Sequence, residues 1–295
     1  MISEKKNIKK TTKKKNRFAS IIFRFKKNKL ALFGLIIFAL MVFMAIFADF
    51  IVDYETEAIK QNMQNRFSPP SKEHFFGTDN FGRDVFARIV FGARISLFVG
   101  IITVGISLFF GVLIGATAGY FGGKVDNILM RIMDVFLAIP QMLMAIAVVA
   151  ALGTDMFNLL IALSVSQIPR FARIVRSSIL TVKGQDYIEA ARACGTSNSR
   201  IIIKHILPNA IGPITVQATL NVAITILVIS ALSFVGLGVQ PPTPEWGSMM
   251  ADSKSQLRYH PYLVIIPGIF IGLTVMSLNV IGDGLRDALD PRLKN

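Results

Sequence analysis

Few side chains in this 295-residue chain stand where acid–base, nucleophilic or metal chemistry would need them. The three histidines, His74, His205 and His260, lie in separate segments, and none sits at metal-ligand spacing with another. One cysteine, Cys194, leaves no intramolecular disulfide and no Cys/His cluster; it reads as a small packing residue in a helix. No G-x-x-x-x-G-K-[ST] pattern occurs, so the chain brings no nucleotide-binding loop of its own. Asp134 and Asp283 lie near the ends of apolar stretches. Acids within a membrane are functional candidates, but boundary positions suit an interfacial role better. The expectation is therefore no catalytic residue, no metal and no cofactor in this chain. What remains is a recognition element. Glu189-Ala190-Ala191-Arg192-Ala193-Cys194-Gly195, followed by Ile206-Leu207-Pro208-Asn209, joins helix formers to a glycine break and a proline stop. A short polar hairpin between two apolar spans is a surface for another protein to read.

The elements that must position this hairpin are membrane helices. Apolar residues make up 53% of the chain and charged ones 17%, against ~45–50% and ~25% in soluble domains. The charges are clustered, leaving long windows of the length that reads as a transmembrane helix. We expect an all-α integral membrane protein with six spans. The first is residues 30–52, read as an uncleaved transmembrane helix because its apolar run is longer than a signal peptide's. Residues 53–94 form an extracytoplasmic loop that ends in a short amphipathic segment, Val85 to Ile95. The remaining five spans make a five-helix core over 95–295, at about Ser96–Tyr120, Ile132–Leu152 with a kink at Pro140, Met156–Ile168, Ile211–Val235 and Tyr262–Ile281. In the second, Gly111, Gly115 and Gly119 recur every fourth residue and give one smooth face for close helix packing. Trp246, in the loop 236–260, is expected at the membrane interface.

The net charge of +14 raises the question of nucleic acid, but its distribution answers it. Twelve Lys and Arg residues fall between Lys5 and Lys29, just before the first span. That is the pattern of a cytoplasmic tail held inside by its charge and able to touch anionic lipid. Residues 1–29 thus form a basic tail, disordered to about Arg17 and then amphipathic, suited to the membrane surface. With the N-terminus inside, inside segments hold 24 basic residues and outside segments 8. Both termini and the segment 170–209 are placed in the cytoplasm.

Within that segment the candidate docking hairpin is residues 183–209. Residues 183–194 read as a helix closed by Gly195. Thr196-Ser197-Asn198 offer N-cap chemistry for a second helix, about Ser199 to Ile206, which Leu207-Pro208 stops before the fifth span. A structural cap on the bundle or a DNA-binding helix-turn-helix are the other readings; tethering to spans on both sides argues against DNA.

These residues resemble a known family. Glu189-Ala190-Ala191, three residues, Gly195, ten residues, then Ile206-Leu207-Pro208 is similar to the EAA loop of ABC importer permeases. His205, at a place often apolar, resembles the peptide-permease branch. Lys26 to Leu30, Phe76 to Phe86, Ala118 to Gly123, Leu232 to Gly238 with Gln240-Pro241-Pro242, and Gly282 to Asp287 extend the resemblance to the C-type permease subunit of dipeptide and oligopeptide importers. The resemblance implies a heterodimer with a B-type permease subunit, two ABC ATPase subunits that bind ATP and Mg, and an extracytoplasmic substrate-binding protein. It also implies that Glu189 meets an ATPase, Gly195 makes the turn and Leu207-Pro208 join the hairpin to the fifth helix. A nickel or other small-solute importer of the same type is the alternative; a secondary transporter or channel is more remote.

Overall fold

The structure, a computed structural model, describes residues 17–289; the tail residues 1–16 and the chain end 290–295 lie outside the described residues. Within them the secondary structure is helical, with a single isolated bridge between Thr78 and Asp84. α1 (Arg17–Lys27) carries Lys26 and Lys27 beside exposed Ile22 and Phe23. Asn28 interrupts it and caps α2 (Lys29–Ile46), its side chain accepting from Ala31 N–H. The first span, expected to run to residue 52, breaks at Phe47 and ends in a turn, α3 (Ala48–Ile51). Arg94 accounts for the break. Its Nε donates to the Ala45 carbonyl and its Nη2 pairs with Asp49 at 2.8 Å, so the α2 carbonyls are satisfied there.

After a folded loop, α4 (Val85–Phe121) starts on an Asp84 N-cap and runs unbroken, so the expected amphipathic segment and second span are one helix. Gly122, at φ +68, turns the chain into α5 (Gly123–Leu137). Residues 121–131, which separate the expected second and third spans, are therefore mostly helix. Ala138 to Pro140 bend the chain by 84° into α6 (Gln141–Leu152). α7 (Met156–Lys183) passes through Pro169 without stopping. That corrects the expected span end at Ile168; a buried proline in a packed membrane helix is tolerated because neighbours hold the helix together. α8 (Asp186–Ala193) and α9 (Asn198–Arg200) form the hairpin, α10 (Leu207–Phe234) follows, then α11 (Trp246–Ser253) and α12 (Tyr262–Leu289). Four helices, starting at Lys29, Val85, Asn198 and Tyr262, are long and apolar enough to cross a membrane, five if the bent α5–α6 pair is one span.

The directions follow from contacts. A Cβ on Gly111 would overlap Phe171, one on Gly115 would meet Ala172 and Val175, and one on Gly119 would meet Ile179. Eight residues along α4 match eight along α7, so the two helices run parallel. α10 runs the other way: Ala210 and Ile214 lie with Ala116 and Tyr120, whereas Ile226 lies on Gly100. Phe25 and Ala31 pack on Gly284, and Asn28 Nδ2 reaches Asp287 at 3.4 Å. The starts of α2 and α10, the ends of α4, α7 and α12, and the hairpin thus share one end of the bundle.

Candidate functional site

The hairpin is built from a buried root and an exposed crest. In α8, Asp186 and Glu189 sit in the first turn and Arg192 in the last, the arrangement a helix dipole favours. Ile188 is fully buried, while Tyr187, Glu189 and Ala190 are exposed and Ala191 is half-buried. The helix ends in a Schellman turn. Gly195 takes φ +72, its N–H donates to the Arg192 carbonyl at 3.0 Å, and Thr196 N–H donates to the Ala191 carbonyl at 3.1 Å. No atom lies within 4 Å of where a Gly195 Cβ would be, so glycine is required there by backbone conformation and not by crowding.

Two sequence expectations about the second half fail. Ser197 occupies the N-cap of α9, but its side chain makes no capping bond. Asn198 instead uses its Oδ1 to accept from Tyr120 Oη at 2.7 Å, tying the hairpin to the end of α4. Nor do Leu207-Pro208 stop the helix. The chain is helical from Asn198 through Phe234, with a π-helical stretch at Ile201–Ile206. Leu207 N–H donates to the Ile202 carbonyl, five residues back, so the hydrogen-bond register slips where Pro208 has no N–H to give. Ile201 and Ile206 are buried with Ile188 against Ala116, Val175 and Ile179; Leu207 is half-buried and Pro208 exposed.

Ionic contacts join the helices at this end. Arg176 makes a two-toothed pair with Asp126, and Arg173 pairs with Asp134 at 2.6 Å across exposed surface. Asp134 is thus an ion-pair partner of α7, and Asp283 is exposed. Cys194 is exposed at the tip, not packed in a helix. Among the described residues no group of three or more His, Cys, Asp or Glu side chains is arranged to hold a metal.

The opposite end holds residues that the sequence reading missed. Arg83 and Arg88, 3% and 2% exposed, face the carboxylates of Asp79 and Asp252. Arg83 Nε lies 2.6 Å from Asp79 and its Nη2 3.2 Å from Asp252, while Arg88 Nη1 donates to the Ala58 carbonyl. Two buried cations share one buried carboxylate, Asp79, and one part-exposed carboxylate, Asp252, which binds the loop before α4 to the end of α11. The only hint in the sequence is the density of charge in Asp79-Asn80-Phe81-Gly82-Arg83-Asp84. Trp246 is a clear correction. It is fully buried, not interfacial, with Nε1 donating to the Ile89 carbonyl at 3.1 Å. Beside it the Glu245 carboxylate, also fully buried, accepts from Ser96 Oγ, Ser230 Oγ and Ser248 N–H. Residues 244–253 are therefore folded into the bundle, while Gln240 to Pro242 stay at the surface.

This all-helical bundle belongs to a class of membrane permease components, as its matches to known families show. Residues 111–295 match the family described as the binding-protein-dependent transport system inner membrane component, and residues 16–70 match the N-terminal transmembrane domain of oligopeptide transport permease C. The chain belongs to the binding-protein-dependent transport system inner membrane component family. It is 49% identical over 270 residues to a dipeptide transport system permease of Alkalihalophilus pseudofirmus, covering 92% of this chain and 88% of that one. It is 44% identical to an oligopeptide transport system permease of Bacillus subtilis, covering 92% and 89%. A glutathione transport system permease of Escherichia coli is 43% identical, covering 92% and 89%. Among solved structures, an inward-facing form of the MetNI methionine ABC transporter matches with TM-score 0.51 at 19% identity, covering 66% of this chain and 94% of that chain. This likeness concerns the fold.

Proposed function

We propose that this chain is the C-type permease subunit of an ATP-driven importer of di- or oligopeptides, providing half of the translocation pathway. Its relatives are named for dipeptide, oligopeptide and glutathione transport, and glutathione is itself a tripeptide. That common cargo chemistry favours peptide over nickel. The chain pairs with a B-type permease, two ABC ATPases that hold ATP and Mg, and an extracytoplasmic binding protein. ATP hydrolysis belongs to the ATPases. This chain contributes the coupling surface and the moving helices, whose two arrangements ATP stabilises in turn.

The observation that carries the coupling role is the hairpin: an exposed crest at Glu189, Ala190 and Gly195 on a root of fully buried isoleucines. A knob with an apolar root transmits force to its bundle; a mobile loop would not. Ala191, Ile206, Leu207 and Pro208 form the join between knob and bundle. Gly111, Gly115 and Gly119 hold α4 on α7. Gly195→Val tests the reading: transport and ATPase co-purification are lost while membrane insertion is retained. Normal transport in that variant sinks it.

In the bacterial cytoplasmic membrane the bundle makes six crossings, with both termini and the hairpin in the cytoplasm. The parallel course of α4 and α7 supports this, because the intervening α5–α6 pair must then carry the chain back across. The excess of basic residues on the hairpin side supports the orientation. The sole thiol, Cys194, reports it: an impermeant thiol reagent labels it only from the cytoplasmic face. Labelling from outside refutes the orientation.

A further inference from the structure

We propose that Tyr120 is the positioning residue through which the hairpin moves the α4–α7 pair, which rests on the coupling role assigned to the hairpin above. Tyr120 stands in the last turn of α4 and is 4% exposed. Its hydroxyl donates to Asn198 Oδ1 of α9 at 2.7 Å. Lys183, the last residue of α7, and Arg192 of α8 each place a cation 5.8 Å from the centre of its ring. Lys183 Nζ also reaches the carbonyl of the neighbouring Gly119 at 3.5 Å. One phenol side chain therefore meets the end of α7 and both halves of the hairpin.

The covalent route out of the hairpin is softer. α9 enters α10 through the π-helical stretch Ile201–Ile206, and Pro208 adds a missing donor just beyond it. Widened turns and prolines are where helices bend. The α4–α7 pair, by contrast, is locked backbone to backbone along Gly111, Gly115 and Gly119. A displacement delivered at Tyr120 moves both helices together, while the π-helical stretch lets α10 change its angle. Tyr120 is the stiff link and Ile201–Ile206 the joint.

The test uses the complete importer in proteoliposomes, with peptide accumulated and ATP hydrolysed measured in the same sample. Tyr120→Phe keeps the ring and removes one hydrogen bond. Transport per ATP falls about five-fold, the factor that one hydrogen bond of ordinary strength corresponds to, while the ATPases still co-purify. Asn198→Ala removes the acceptor, and the double variant is no worse than Tyr120→Phe alone. Unchanged transport per ATP in Tyr120→Phe, or losses that multiply in the double variant, overturns the proposal. Thiol labelling of Cys194 in the same complex separates the two levels. If the ATPases do not protect Cys194, the hairpin's coupling role fails and this proposal with it. If Cys194 is protected and Tyr120→Phe transports normally, only the role of Tyr120 fails.

Discussion

Gly115→Ala is a one-carbon test of how the bundle is held together. The added Cβ would overlap the Ala172 carbonyl oxygen, lie 2.8 Å from Val175 Cβ and 3.0 Å from Arg176 N. Two of those three atoms are backbone, so no rotamer change relieves the contact; α4 and α7 must separate. Overpacking of this kind destabilises by ~1–3 kcal/mol, offset by a helix-propensity gain of up to ~1 kcal/mol for Gly to Ala. Gly105 supplies the control on the same helix. It is exposed, and a Cβ there meets nothing within 4 Å, so Gly105→Ala receives the gain without the clash. The propensity gain is common to both variants, so they should differ by ~1–3 kcal/mol, seen as separated thermal midpoints of the purified protein in one detergent. Equal midpoints would refute the view that backbone contact along this stripe holds the pair. A Gly115→Ala variant more stable than the parent would refute it more strongly still.

The remaining predictions are briefer. Gly195→Val forces a β-branched residue into left-handed backbone at ~1–2 kcal/mol, whereas Gly195→Asn, which tolerates that region, should retain most transport and ATPase binding. Glu245→Ala leaves two buried serine hydroxyls and the Ser248 N–H without their acceptor; at ~1–3 kcal/mol per unsatisfied group it should lower the yield of folded protein sharply, and Glu245→Gln, which keeps an acceptor oxygen, much less. Asp79→Ala strands the Arg83 and Arg88 guanidiniums with only Asp252 and should destabilise by ~3–5 kcal/mol, read as lost monodispersity in detergent. Trp246→Phe deletes the donor to the Ile89 carbonyl inside a packed core and should lower the thermal midpoint without altering membrane insertion.

The parts of the fold that sequence makes visible are those whose signal is local. α2, α4, α10 and α12 announce themselves as apolar runs. Gly195 does so because a helix followed by glycine has few other ways to end, and Gly111, Gly115 and Gly119 because their spacing matches a helix face. What stayed hidden depends on partners distant in the chain. The expected fourth span ends at Pro169-Arg170 because the segment beyond is polar; the carboxylates that pair with its Arg173 and Arg176, Asp134 and Asp126, come from α5. Pro208 reads as a stop until the π-helical stretch before it is seen to absorb the missing N–H. Trp246 suits an interface by type, yet its indole donor finds Ile89, 157 residues away. Tyr120 is visible in the sequence only as part of the run Ala118 to Gly123; its meeting with Lys183, Arg192 and Asn198 is not, since two other elements bring those residues to it.

The Arg83, Arg88, Asp79 and Asp252 set at the far end of the bundle has a consequence for how the chain is made. Arg83 is separated from Asp252 by 169 residues. At ~5–20 residues per second the ribosome takes roughly 8–34 s to supply that carboxylate after Arg83 has emerged. During that interval Arg83 and Arg88 share Asp79 alone, and the pocket that will enclose them has no α11 to close it. A half-synthesised chain therefore carries an unfinished, charged seam at this end of the bundle. Only the arrival of Asp252 completes the set, so this end of the bundle cannot finish folding until α11 has been made.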